Sequence, residues 1–149
     1  MDKNKILEVE SLLNDYTKEQ VLEIISGIEE QEVLYVYAYN YNWDNGFEIP
    51  QLILDNEKCN LSIALLIFYR ADGVSYLFNK SYNENLQLWY IFIEKLYNTI
   101  LTKVYKDDKK IKFKIPLSKV QLFKLKKILT EQENVFIRDT EGKELDICL

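Results

Sequence analysis

The sequence predicts a mainly α fold: a compact multi-helix domain around a buried central helix at residues 61–71, with a small C-terminal β element. Three observations support this prediction. The run from Leu61 to Ala71 is almost entirely apolar, and a helix that is apolar on all sides must be surrounded by other elements. Apolar residues recur three or four apart through much of residues 1–105, which is the helical period. Charged and apolar residues alternate over 110–115, which is the period of a half-buried strand.

Spacing and capping signals predict the first three helices. Apolar residues at helical spacing place the first helix around residues 6–13. Thr17 to Gln20 fits a capping box, in which the side chains of the first and last residue each accept from the other's amide. The second helix therefore begins at Lys18 and runs to about Ser26. The apolar residues of 34–39 predict a third helix that ends near Tyr41.

The central helix is predicted with its flanking turns. Asn45-Gly46 favours a turn because both residues tolerate positive φ. Pro50 suits the first turn of a short helix that runs to Asn56. Asn60 is placed to cap the central helix, and Gly73 is expected to end it in the left-handed conformation.

The C-terminal part is predicted to mix helix and strand. Residues 86–105 form the longest helical pattern, with Val104 on its inner face. A strand is predicted at 110–115, followed by an amphipathic helix at 118–129 with Val120 in its apolar set. Two further segments are expected to pair as a short hairpin, namely Val135–Ile137 and Leu145–Ile147.

We expect one domain over residues 1–149, with a helical body at 1–105 and a strand-helix-hairpin extension at 110–149, because this length suits one sizeable core. The N-terminus lacks the pattern of a signal peptide. No apolar run reaches the ~18 residues of a membrane span. A cytoplasmic protein without a membrane partner is therefore expected. Cys59 and Cys148 are too few for a disulfide framework, so reduced thiols are expected.

Charge is distributed unevenly along the chain. The net charge of −5 argues against general nucleic-acid binding. Residues 1–60 hold 4 basic and 13 acidic side chains, a balance of −9, whereas residues 103–127 hold 10 and 2, a balance of +8. We interpret the basic segment as a solvated face, and the acidic half as a docking surface for a basic protein partner. The candidate residues of this surface are Glu19, Glu23, Glu29, Glu30 and Glu32.

Polar and aromatic residues cluster in sequence around the turn before the central helix and at that helix's end. The candidate binding residues are Asn42, Trp43, Asp44, Glu48, Arg70 and Asp72. Trp offers contact area and a donor, and Arg offers a bidentate fork. We expect Asp44 and Arg70 to form one polar cluster around Trp43. The structural alternative is that Asp44 caps the turn, Trp43 fills a seam and Arg70 pairs with a nearby carboxylate.

Catalysis has little support in the sequence. The chain contains no histidine, which removes the usual general base near neutral pH. No catalytic residue, metal site or cofactor is predicted. The carboxylates of Asp44 and Glu48 are the pair that would suit acid–base work or a divalent cation. On these grounds we favour a protein that is not an enzyme.

Three phrases of the middle third resemble a small bacterial family catalogued as domain of unknown function 4274. They are YNYNWDNGFEIP at 39–50, CNL at 59–61 and ALLIFYRADG at 64–73. The N-W-D-x-G-F-E-x-P phrase is the most specific of them, and the resemblance runs from about Val33 to about Leu77. The family brings no established activity, so the resemblance implies a shared fold and transfers no catalytic residue.

These observations predict a non-catalytic protein-binding module of a bacterial cytoplasmic protein. By analogy, small acidic bacterial proteins of this kind include immunity proteins that neutralise a toxin. The alternative hypothesis is a small-ligand or metal-dependent enzyme that uses the corner formed by Trp43, Asp44 and Glu48.

Overall fold

The computed structural model describes residues 1–145 and Leu149, and helices make up most of this part of the chain. The mainly α fold class is therefore confirmed. The α-helices are α1 (Lys3–Asn14), α2 (Lys18–Ile25), α3 (Gln31–Asn40), α4 (Glu48–Asp55), α5 (Leu61–Arg70), α6 (Gly73–Phe78), α7 (Gln87–Leu101) and α8 (Lys119–Ile128). Short 3-10 helices lie at Trp43–Asn45, Glu84–Leu86 and Gln132–Ile137. No helix of the described residues is both long and apolar enough to cross a membrane.

The central position of α5 is confirmed. Its residues from Ser62 to Tyr69 are all buried, and Leu65 and Phe68 are 0% exposed. Helices α3, α4, α6 and α7 pack around it, α1 packs on the outer side of α3, and α2 packs on α4. A helix whose side chains are apolar all round is buried in this way because every face needs an apolar neighbour.

Two predicted caps are confirmed. Asn60 accepts from the amide of Ile63 at 3.0 Å. Thr17 and Gln20 form the reciprocal capping box, with distances of 2.9 and 3.2 Å. Each cap satisfies amides of a first helical turn that have no partner inside the helix.

The predicted role of Gly73 is wrong. Asp72 adopts the left-handed conformation, with φ 60° and ψ 40°, and Gly73 begins α6. Glycine is needed there for a close approach, because a Cβ at this position would lie 2.4 Å from ring atoms of Phe68. The turn between α5 and α6 is therefore packed directly on the core.

The C-terminal β element is minor. Among the described residues it consists of one isolated parallel bridge between Ile111 and Lys143. The strand predicted at 110–115 does not form a ladder, although Ile111 and Phe113 are buried as the alternation requires. The strand predicted at Val135–Ile137 is also wrong, since these residues lie in a 3-10 helix. Residues 146–147 of its expected partner lie outside the described residues.

Single hydrogen bonds attach the segment after α7 to the helices. The Ser62 hydroxyl donates to the carbonyl of Ile111 at 2.6 Å and lies 2.7 Å from the Thr140 hydroxyl. The amide of Phe113 donates to the same Thr140 oxygen at 2.7 Å. The Asp108 carboxylate accepts from the side-chain amides of Gln31 and Asn60. These contacts hold residues 112–117 beside α3 and α5, and a cleft lies between them.

Candidate binding cleft

A cleft of about 510 Å³ lies between α3, α5 and residues 112–117. Its volume is in the range of pockets that hold small ligands. Aromatic side chains supply much of its wall, and among the described residues three cationic side chains share the lining with one carboxylate. The aromatic residues are Tyr35, Tyr39, Trp43, Tyr69 and Phe113, and the charged residues are Arg70, Lys112, Lys114 and Glu144.

Arg70 lies at the C-terminal end of α5 and is held against α3. Its guanidinium carbon lies 4.5 Å from the centre of the Tyr39 ring, and its Nη2 donates to the Tyr39 carbonyl at 2.9 Å. Among the described residues, Arg70 forms no ion pair with Asp44 or with any other carboxylate. Neither the expected contact with Asp44 nor the alternative pairing with a nearby carboxylate is therefore observed. Instead, the cation–π and backbone contacts fix the position of the guanidinium.

Trp43 is half-buried and forms part of the cleft wall. Its ring packs edge-on against Tyr41 at 5.3 Å and Phe92 at 6.2 Å, so it also fills the seam that the structural alternative predicted. Its indole nitrogen is buried and has no hydrogen-bond partner among the described residues. An unpaired buried donor costs about 1–3 kcal/mol.

The other four candidate binding residues do not line this cleft. The Asn42 side chain caps the 3-10 turn by accepting from the amide of Asp44 at 3.0 Å, so Asn42 has the capping role predicted for Asp44. Asp44 is exposed. Glu48 is exposed and pairs with Lys18 at 3.1 Å. Asp72 accepts from the Ser75 hydroxyl at 2.7 Å. Of the six candidates, the structure brings Trp43 and Arg70 to one cleft.

Part of the acidic surface predicted in the N-terminal half is open to solvent. Glu19 and Glu23 are exposed one turn apart on α2, and Glu29 is exposed in the connection to α3. Residues three or four apart share one face of a helix, so the two α2 carboxylates point to the same side.

The remainder of the acidic surface is engaged in ion pairs. Lys5 lies 3.3 Å from Glu30 and 3.4 Å from Glu32, and Lys143 lies 3.4 Å from Glu32. The pKa of Lys5 is raised, chiefly by its hydrogen bond with Glu30. These lysines offset the negative charge of Glu30 and Glu32, and the contacts join α1 and the C-terminal part to the start of α3.

Residues 29–101 match a family model described as "Domain of unknown function (DUF4274)". Over these 73 of its 149 residues, the chain is similar to the DUF4274 family. The predicted resemblance is confirmed, and the matched region extends beyond the predicted limits of Val33 and Leu77 at both ends. No curated protein and no solved structure matches the chain.

The cleft is built partly from the matched region and partly from the chain that follows it. Trp43 and Arg70 lie inside the matched region, whereas Lys112 and Lys114 lie after it. Neither lysine was predicted as a site residue, because the basic segment was interpreted as a solvated face. Their alternation with Ile111 and Phe113 was the available signal, since burial of the apolar residues on one side leaves the lysines on the other.

Burial makes Tyr35, Tyr69 and Cys59 harder to ionise. Burial raises the pKa of Tyr35 to about 12 and also raises the pKa of Tyr69. Burial likewise raises the pKa of the Cys59 thiol, and the thiol is a poor nucleophile. In the described part of the chain, no group of three or more His, Cys, Asp or Glu residues is placed to hold a metal ion.

Proposed function

We propose that this protein is a non-catalytic module that binds another protein. The observation that supports the proposal is a concentration of exposed apolar side chains between α6 and the first turns of α7. Leu88 is 74% exposed and Ile91 is 55% exposed, and their spacing places them on one face of α7. The other exposed apolar or aromatic residues of this stretch are Phe78, Tyr82 and Leu86.

Large exposed apolar side chains that occur together are typical of interaction surfaces, whereas isolated ones are common on any protein. Helix α6 packs against α7 and also against α8. Helix α8 exposes Val120 and Phe123. The exposed apolar residues of α7 and those of α8 therefore lie on two helices that both pack against α6. We name the surface formed by residues 78–91 the α6–α7 surface.

The charge of the N-terminal half suggests that the partner is basic. Glu19, Glu23 and Glu29 are exposed, and residues 1–60 carry a balance of −9. A field of one sign speeds the encounter with a partner of opposite sign. We extend the proposal by analogy to an immunity-type protein, which binds and neutralises a toxin.

The test is affinity capture followed by a binding measurement with the captured protein. We expect the wild-type chain to bind a partner that the double variant Leu88→Asp, Ile91→Asp binds at least about tenfold more weakly, since a charge must then be desolvated in the interface. Val104→Asp is the matched control, because Val104 is also highly exposed but lies beyond the end of α7. Equal binding by the double variant and the control would refute the role of the α6–α7 surface.

The charge of the partner is tested in the same measurement. Glu19→Lys with Glu23→Lys should slow association, and the wild-type rate should fall as salt screens the field. Glu30 and Glu32 are unsuitable for this purpose because their replacement would also remove ion pairs with Lys5. If neither the two substitutions nor added salt changes the association rate, the acidic surface does not steer the partner.

No observation favours the alternative enzyme at the corner of Trp43, Asp44 and Glu48. Glu48 is engaged with Lys18, and both carboxylates are exposed. A catalytic carboxylate is usually tuned by burial or by a charged neighbour in a cleft. The geometry therefore supports binding better than catalysis.

A further inference from the structure

We propose that the cleft between α3, α5 and residues 112–117 binds a ligand in which a short aliphatic linker joins a carboxylate to an aromatic ring. Two sources share this chemistry: a small free acid, and an aromatic C-terminal residue of a peptide. The proposal goes beyond protein binding through the α6–α7 surface, because it concerns a different part of the molecule and does not depend on that surface.

The charges of the lining favour an anion. Among the lining residues that the structure describes, Arg70, Lys112 and Lys114 share the cleft with a single carboxylate, that of Glu144, although the whole chain is acidic. In the part of the chain that the structure describes, none of these three cations forms an ion pair. Arg70 uses one Nη2 donor on the Tyr39 carbonyl. A guanidinium has five N–H groups, so others are left for a carboxylate.

The walls favour an aromatic body next to that anion. Tyr69 and Phe113 stack with their ring centres 5.9 Å apart, and Tyr39 and Trp43 lie among the other lining residues. A ligand ring gains from offset or edge-on packing against such rings beyond the gain from burial. A bare phosphate or a divalent cation would leave these aromatic walls without a partner.

The cleft is held in shape without a ligand. Arg70 is fixed over the Tyr39 ring. The Tyr35 hydroxyl donates to the carbonyl of Lys112 at 3.4 Å, and the amide of Ile115 donates to Asp139 at 2.9 Å. These bonds hold residues 112–117 from both sides. A site formed in advance binds more tightly because less ordering is required when the ligand arrives.

Phenylacetate and its uncharged analogue phenylacetamide are the probes. We expect phenylacetate to shift the amide resonances of cleft residues and the indole N–H resonance of Trp43 in a two-dimensional NMR titration. The second indole provides an internal reference, because Trp89 donates to the Ala71 carbonyl and does not line the cleft. Trp43→Phe assigns the two indole signals. Phenylacetamide should bind at least about tenfold more weakly, since it lacks the charge-assisted hydrogen bonds.

Arg70→Gln should weaken phenylacetate binding by about tenfold. The matched control is Arg138→Gln, because Arg138 is also exposed and also donates to a backbone carbonyl, that of Asn134, but lies outside the cleft. The dispersion of the amide resonances shows whether each variant is folded. Lys114→Gln replaces Arg70→Gln if the latter variant is unfolded.

The peptide N-acetyl-Ala-Ala-Phe distinguishes the two sources. Tighter binding of the peptide acid than of phenylacetate would identify a chain terminus as the ligand, and weaker binding would identify a small free acid. Three results would overturn the proposal: no shifts at millimolar phenylacetate, equal binding of phenylacetamide, or shifts that map outside the cleft. These results do not depend on the α6–α7 surface: phenylacetate binding can be observed even if the Leu88→Asp, Ile91→Asp variant binds a protein partner as well as the wild type does.

Discussion

Replacement of Gly73 by alanine tests how tightly the turn between α5 and α6 is packed. The new Cβ would lie 2.4 Å from Cδ1 and Cε1 of Phe68 and 2.5 Å from its carbonyl oxygen. The ring cannot simply rotate away, because it is 0% exposed and packs on Phe136 and Tyr69 at centre distances of 4.8 and 5.6 Å. The backbone of the turn must therefore move.

Two opposing effects set the size of the change. Alanine in place of glycine in a helix gains up to about 1 kcal/mol from backbone propensity, and this gain is smaller at the first position of a short helix. Overpacking of a close-packed core costs about 1–3 kcal/mol. The contact with a backbone oxygen places Gly73→Ala at the upper part of this range. We therefore expect the free energy of unfolding to fall by about 2 kcal/mol.

Urea unfolding followed by circular dichroism measures this change. A slope of about 1–3 kcal/mol per molar urea converts 2 kcal/mol into a midpoint shift of about 1 M. Gly27→Ala is the matched control, because its Cβ would meet only the Ile24 carbonyl oxygen at 3.6 Å, and it should unfold near the wild-type midpoint. A Gly73→Ala midpoint equal to or above that of the wild type would refute the packing argument.

Two further predictions concern the core and one buried carboxylate. Phe68→Ala should lower the free energy of unfolding by about 3–5 kcal/mol in the same assay, because it removes a fully buried ring, and an unchanged midpoint would contradict the central role of α5. Burial raises the pKa of Glu133, but hydrogen bonds from Thr130, Tyr97 and Lys80 outweigh burial and lower it from 4.5 to about 2. The resulting stabilisation of about 3 kcal/mol is present above pH 4.5 and is lost as pH falls towards 2. Glu133→Gln should show a flatter acid dependence of stability in that window, and identical acid profiles for the two proteins would contradict this assignment.

The parts of the fold that were predicted correctly depend on local signals. The side chains of α5 are apolar on all faces, so this helix must be buried in whatever fold the chain adopts. The caps at Thr17 and Asn60 are formed within three residues. Such signals need no knowledge of distant contacts, which is why they can be found in a single sequence.

The parts that were predicted wrongly depend on distant partners. Alternation over 110–115 reports burial on one side of an extended segment, but a strand also needs a partner ladder. Here the segment meets Thr140 and Lys143 at separate points. Val104 and Val120 were expected to face inward from periodicity, yet both are exposed. Val104 lies beyond Leu101, where α7 ends, and Val120 lies in the first turn of α8.

The sequence predicted only some of the residues that line the candidate cleft. Trp43 and Arg70 lie in the turn before α5 and at its end, so their proximity to the same helix could be anticipated. Lys112 and Lys114 approach from about 40 residues further along the chain, and no spacing rule connects them with Arg70. The pairing of Glu32 with Lys143 likewise joins residues 111 positions apart.

The aromatic stack around Phe136 has a consequence for dividing the chain into fragments. Phe136 packs on Phe68 at 4.8 Å and lies nearly parallel to Tyr97 at 5.1 Å, and both partners lie within the matched region of residues 29–101. Val9 of α1 is also part of the shared core. The boundaries of the sequence match and of the folding unit therefore differ. A recombinant fragment of residues 29–101 would expose the rings of Phe68 and Tyr97 to water. Such a fragment would be bound by chaperones and degraded by proteases, and it would be unsuitable as a folded domain in a fusion protein.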